Sequence, residues 1–158
     1  MLNEKIIKYL KKDFVKLDKQ SLYIGDLSDL TIVIPTYNRQ KYLIRQIMYL
    51  SNYSVKLIIV DGSNKKISEK FINELKFCKD FEYIHSMEMS YVERIKFATK
   101  KVKTNFAMCL AEDDFLVFKG VKKAIDVLNN DNSLSACFGQ VAGLDYNKTK
   151  KKSYFIDY

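Results

Sequence analysis

Glu112, Asp113 and Asp114 stand side by side in a chain of 158 residues, directly after the apolar run Asn105 to Ala111. Three adjacent carboxylates repel one another, and something must offset that cost. A hard divalent cation, Mg2+ or Mn2+, does so with oxygen ligands, usually from one or two carboxylates plus substrate phosphates. Such an ion would stabilise charge on a departing phosphate as a Lewis acid. Alone, the triplet is better read as a solvated acidic turn, or a helix cap at Asp113 or Asp114. A second polar group, Thr36-Tyr37-Asn38-Arg39, follows another apolar run, after Pro35. It can hydrogen-bond a base or ribose, with Arg39 pairing a phosphate, or it can be a turn and cap. The third group is Asp61-Gly62-Ser63. Asp61 can accept from a ribose hydroxyl or a base N–H, or simply form an Asp-Gly turn.

The elements that must position these groups alternate. Leu30 to Thr36 and Lys56 to Val60 read as buried strands, being short, apolar and β-branched. Phe81 to His85, Asn105 to Ala111 and Leu134 to Val141 read as further strands. Helices are expected at Lys41–Leu50, Ser68–Phe77, Tyr91–Val102 and Lys119–Leu128, the last with Val121, Ile125 and Leu128 facing inward. Ile6, Ile7, Leu10, Phe14 and Leu17 recur at helical spacing among lysines, which predicts an amphipathic first helix. Strand and helix in alternation give an α/β domain with a mostly parallel central sheet flanked by helices. In such sheets ligands bind beyond the carboxyl ends of the strands. All three polar groups fall there, so they converge on one cleft.

Composition narrows the class. Hydrophobic residues make up 47% and charged residues 29%, ordinary for a globular chain. The net charge of +8 includes five basic residues and no acid from Arg94 to Lys103. That balance suits a phosphorylated ligand, an anionic membrane surface or nucleic acid, or no more than solubility. No helix or aromatic pattern of a nucleic-acid-binding module is present, so no nucleic-acid partner is expected. No run approaches the ~20 apolar residues of a spanning helix, and with Glu4 and Lys5 followed by no long apolar stretch, no signal peptide is expected. Cys78, Cys109 and Cys137 are widely spaced in apolar surroundings and are expected to be reduced core residues of a cytoplasmic protein. No glycine-rich dinucleotide fingerprint or P-loop occurs. No Ser or Cys nucleophile has a His partner, and the single histidine, His85, reads as structural.

Ile32 to Arg39, Leu57 to Ser63 and Phe106 to Phe115 resemble, in order and separation, the first strand, the second strand and the metal-binding acidic region of family-two glycosyltransferases. The resemblance runs from about Thr31 to at least Leu128. It implies a GT-A-type, Rossmann-like fold, a nucleotide-diphosphate sugar donor (commonly a UDP-sugar), Mn2+ or Mg2+, and transfer with inversion. It implies a glycan or lipid-linked acceptor in bacterial surface polysaccharide synthesis. Carried over by position, the nucleotide-binding residues are Pro35, Thr36, Tyr37, Asn38, Arg39, Asp61, Ser63, Arg94 and Asp113. Asp114 would hold the metal, with Glu112 as helper. Many members of the family have Asp where Ala111 stands. The family's second half, which binds the acceptor and supplies the general base, is expected to have no counterpart after Val141, and neither Asp145 nor Asp157 is assigned that role. The expected division is therefore 1–29 as helix and lead-in, 30–146 as a partial nucleotide-sugar-binding domain, and 147–158 as a basic tail. The chain is expected to retain donor binding, and its basic first helix and patches to rest at the inner membrane face. The competing readings are a sugar nucleotidyltransferase, against which the missing glycine-rich loop counts, and a non-catalytic nucleotide- or nucleic-acid-binding module.

Overall fold

The computed structural model describes residues 25–76, 79–147 and 152–157. They fall into two compact units, one ending at Leu116 and the other beginning at Val117.

The first unit is built on β1 (Leu30–Thr36), β2 (Lys56–Asp61), β3 (Glu82–His85) and β4 (Phe106–Cys109). They form one parallel sheet in the order β3-β2-β1-β4. All seven residues of β1 are buried, as its uninterrupted apolar run requires for a central strand. Helices α1 (Gln40–Leu50), α2 (Glu69–Lys76) and α3 (Tyr91–Thr99) make the crossovers. From β1 to β2 to β3 the chain steps in one direction, and α1 and α2 touch. From β3 it returns past both strands to β4, so a right-handed crossover places α3 on the opposite face. There α3 packs on β1 and β2. Ala98 joins Val33, Ile58 and Val60, with Ile84, Met89, Phe97 and Val102 around them. By strand alternation Ile32, Ile34, Leu57 and Ile59 point the other way, and all are buried. A side chain of this kind, once fully buried, contributes about 1.5–3 kcal/mol. The direction of winding reverses between β1 and β4, which is where an open α/β sheet leaves a crevice.

One residue of this core is out of character. Gln46 is fully buried on α1, and neither its Nε2 nor its Oε1 has a hydrogen-bond partner. A buried amide left so costs about 1–3 kcal/mol. Gln46→Leu is therefore expected to stabilise the chain by about 1 kcal/mol, read as a higher urea midpoint at unchanged slope. A lower midpoint would mean that the amide has partners in solution.

Helix α3 starts where Ser90 and Glu93 form a reciprocal capping box: Glu93 N donates to Ser90 Oγ at 3.3 Å and Ser90 N to Glu93 Oε2 at 2.8 Å. It ends at Thr99, short of the expected Val102, because Lys101 and Val102 donate to Ala98 and Thr99 in turns.

The second unit holds α4 (Phe118–Asn130) and an antiparallel pair, β5 (Ala142–Asn147) and β6 (Lys152–Asp157), in register from Ala142↔Asp157 to Asn147↔Lys152. Val121, Ile125 and Leu128 are half-buried on α4. The strand expected at Leu134–Val141 is absent, and that segment is exposed throughout, Phe138 to 93%. A strand needs a neighbour. Here the pairing is made by residues close in sequence, whose loop costs little to close.

Cys109 and Cys137 are free, as expected, but exposed rather than in the core. Cys109 lies on β4, an edge strand paired only with β1, where Ala107 and Cys109 are exposed. Cys137 belongs to the exposed 131–141 segment. The expected first helix and Cys78 lie outside the described residues. No described helix is long and apolar enough to cross a membrane.

Candidate functional site

The loops leaving β1 and β2 are laced together at the carboxyl edge of the sheet. Gly62 N donates to Thr36 O at 2.9 Å, which extends the β1–β2 ladder into the loops. Asn38 then takes a left-handed backbone, φ 55°, which Asn tolerates better than most residues. That turn lets its N–H donate to Ser63 Oγ at 2.8 Å and its Oδ1 accept from Asn64 N at 3.2 Å. The Tyr37 hydroxyl donates to Asn64 Oδ1 at 3.3 Å and Gln40 Nε2 to Lys65 O at 2.7 Å. Pro35, Thr36 and Ser63 are buried beneath this ledge, Tyr37 and Asn38 exposed on it. Thr36 Oγ1 is buried without a partner.

Asp61 anchors the ledge from below. It is fully buried. Its Oδ1 accepts from Ser63 N at 2.8 Å and from the Ser63 hydroxyl, and its Oδ2 accepts from the Tyr83 hydroxyl at 2.6 Å. Burial, and then the bond to Asp61, raise the pKa of Tyr83 above its ordinary value. His85 Nε2 lies 2.7 Å from Ser63 O, a structural contact in keeping with its expected role.

Arg94 comes up from α3, fixed one residue past the capping box. It is only 6% exposed. Its Nη1 donates to Met89 O at 3.0 Å, its guanidinium carbon stands 5.8 Å from the centre of the Tyr37 ring, and its Nε has no partner. Among the described residues no carboxylate lies within ion-pair distance of it. The guanidinium lies against Gly62, in space that any larger residue would fill.

The acidic turn leaves β4 beside these loops. Leu110 N still donates to Val33 O at 2.9 Å, and Asp114 N closes the turn on Ala111 O at 3.3 Å. Glu112 is buried and Asp113 and Asp114 are exposed. Arg39 reaches across: its Nη1 is 2.5 Å from Asp113 Oδ2 and its Nε 3.6 Å from Glu112 Oε1. Arg45 Nη2 donates to Asp113 O at 3.4 Å, its guanidinium stacked 5.1 Å from Tyr42 and 4.8 Å from Phe115. Burial raises the Glu112 pKa above its ordinary value, Asp113 adds to the rise, and Arg39 and Arg94 oppose it. Asp114 alone in the triplet has no ion-pair or hydrogen-bond partner for its side chain among the described residues.

These donors suit a hard cation in kind. Among the described residues, however, no three metal-ligating side chains converge. The donor set would suit an Mg2+-type ion held by one or two of these carboxylates, with its other ligands from phosphate and water. A cavity of about 500 Å3 adjoins the ledge, with Arg39, Lys41 and Lys65 in its wall.

The sequence pointed to Arg39, Asp61, Arg94 and the triplet, but not to Tyr83, Arg45 or the clearance at Gly62. Strand order carries the missing signal for Tyr83: it stands two residues before the end of the strand that neighbours β2.

The family model for glycosyl transferase family 2 matches residues 31–157. Among solved structures, the chain is similar to S. aureus TarS at 16% identity, with a TM-score of 0.53, over 64% of this chain and 19% of that one. Residues 1–349 of TarS give 0.54 over 32% of that chain, and the same fragment in complex with UDP gives 0.53, also at 16% identity. These likenesses show the fold, and the chain spans about a third or less of the structures it matches. No curated protein matches by sequence.

Proposed function

The chain belongs to glycosyl transferase family 2, and from that premise we propose that its sheet-edge cleft binds the nucleoside diphosphate of a sugar donor, a UDP-sugar by preference. Arg94 carries this reading. A buried guanidinium with no carboxylate at ion-pair distance, and only the more distant Glu112 to offset it, is costly, and a diphosphate in the cleft would neutralise it with charge-assisted hydrogen bonds. The Tyr37 ring and the polar edge of Asn38 and Asn64 offer a platform for the base and ribose. Asp61 and Ser63 act from beneath, holding the two loops in register. A divalent ion, Mn2+ or Mg2+, held by Asp114 would stabilise negative charge on the departing diphosphate. In the transfer the bond from the anomeric carbon to phosphate oxygen breaks. A bond from an acceptor hydroxyl forms on the opposite face, with inversion. No residue of this chain is assigned as the base that takes the hydroxyl proton. The acceptor class, a glycan or a lipid-linked glycan of a bacterial surface polysaccharide, and a place beside the inner membrane face belong to the same reading.

Thermal unfolding with UDP and Mn2+ tests it. A ligand that binds only the folded chain at a hundredfold excess over Kd adds about 2.7 kcal/mol of stability. UDP with Mn2+ is expected to raise the melting temperature by several degrees, and Asp114→Ala to remove the metal-dependent part. An unchanged melting temperature at millimolar UDP and Mn2+ in a folded chain would sink the donor-site reading.

A further inference from the structure

We propose that Arg39 is the resident counter-ion of the acidic turn: it holds Asp113 until a diphosphate arrives, then exchanges the carboxylate for phosphate and yields Asp113 to the divalent cation. The second half of this rests on the donor-site reading above; the first half does not.

Arg39 is placed for the task by its backbone. It is the N-cap of α1 but makes no capping bond with its side chain, and it follows Asn38, whose left-handed turn directs the chain across the sheet edge. From there one guanidinium meets two members of the triplet, Asp113 at 2.5 Å and Glu112 at 3.6 Å. Asp114 is left without such a partner. The triplet thus divides into two carboxylates neutralised from within the chain and one that is not. A cation arriving alone meets a single open carboxylate, with a positive guanidinium occupying the next one.

The contact is built to be exchanged. The Arg39 and Asp113 side chains are 51% and 43% exposed, and ion pairs so exposed are held weakly. Arg39 also stands in the wall of the cavity beside Lys41 and Lys65, which Arg94 does not line, so a phosphate that extends from the cleft into this cavity meets the same guanidinium. Phosphate accepts two parallel N–H bonds from arginine as a carboxylate does. When Arg39 turns to it, Asp113 is released next to Asp114. Arg39 is therefore a positioning residue: it makes cation binding at this turn conditional on the nucleotide.

The sign of one measurement decides. Mn2+ binding to the full chain is read from the loss of the free-ion electron paramagnetic resonance signal, with and without UDP, for the unaltered chain, Arg39→Gln and Arg39→Lys. Without UDP, Arg39→Gln is expected to bind Mn2+ about tenfold more tightly than the unaltered chain, since a neighbouring positive charge is gone. Arg39→Lys, which keeps the charge, is expected to stay near the unaltered value. UDP is expected to tighten Mn2+ binding strongly in the unaltered chain and much less in Arg39→Gln. A merely structural role predicts the opposite sign, and equal or weaker Mn2+ binding by a folded Arg39→Gln overturns the proposal. If Arg39→Gln gains affinity but UDP changes nothing in any chain, the counter-ion role stands and the exchange, together with the donor-site reading, falls.

Discussion

Replacing Asp61 with Ala is expected to destabilise the chain by about 3 kcal/mol. The carboxylate is fully buried and takes three donors: the Ser63 amide, the Ser63 hydroxyl and the Tyr83 hydroxyl. Alanine leaves these donors facing a void, and each buried donor without an acceptor costs about 1–3 kcal/mol. The Ser63 hydroxyl can turn elsewhere, but its amide cannot, and Tyr83 is fixed by β3. Asp61→Asn separates the causes. It keeps the shape and an accepting oxygen, and the Tyr83 hydroxyl can reverse its role and accept from the new amide. A loss of about 1 kcal/mol is expected for it. The comparison is read from urea midpoints at constant slope. If Asp61→Ala stays within about 0.5 kcal/mol of the unaltered chain, as surface substitutions do, the carboxylate is not the anchor of the ledge. The consequence reaches the cleft, since Ser63, which Asp61 holds, in turn holds Asn38 at 2.8 Å.

The central strands and the polar groups that follow them were legible in the sequence. The reason is physical. A strand buried on both faces has no place for polar residues, so β1 and β2 read as unbroken apolar runs, and the first polar residues mark the sheet edge. The triplet after β4 was legible on the same ground. What joins these groups was not. Arg39 and Asp113 are 74 residues apart, and only the order β3-β2-β1-β4 makes their strands neighbours. The dual reading of the triplet, metal site or solvated turn, could not be refined from composition, because its resident cation comes from another loop. The error at Leu134–Val141 has the same origin. An apolar, β-prone segment becomes a strand only with a hydrogen-bonded neighbour; this one has none among the described residues and remains exposed. Cys137 shares the fate of that segment, and Cys109 was expected in the core for a complementary reason. β4 is short and sits at the edge, so alternate side chains that would be buried in a central strand stay exposed.

Gly62 shows how a correct local reading can miss the decisive cause. Asp-Gly reads as a turn, yet among the described glycines only Gly25 has a left-handed backbone. An alanine at position 62 is therefore tolerated by the backbone. What it meets is Arg94: the added Cβ would overlap Nη1 and lie 2.9 Å from the guanidinium carbon and 3.4 Å from Cδ. The guanidinium must leave, since the Ser90–Glu93 capping box fixes the start of α3. Its departure costs the bond to Met89 O and the position over Tyr37, a loss of about 1 kcal/mol in stability. The larger effect falls on binding. A hydrogen bond to a charged group is worth about 1.5–3 kcal/mol, so UDP affinity in Gly62→Ala is expected to fall by at least tenfold. Calorimetric titration of UDP with Mn2+ into Gly62→Ala, Arg94→Ala and the double variant checks the cause. If the glycine matters through Arg94, the double variant binds no more weakly than Arg94→Ala alone, because two changes that remove one interaction are not additive. If the two losses add, Gly62 acts on the nucleotide by another route and Arg94 is not the group it protects.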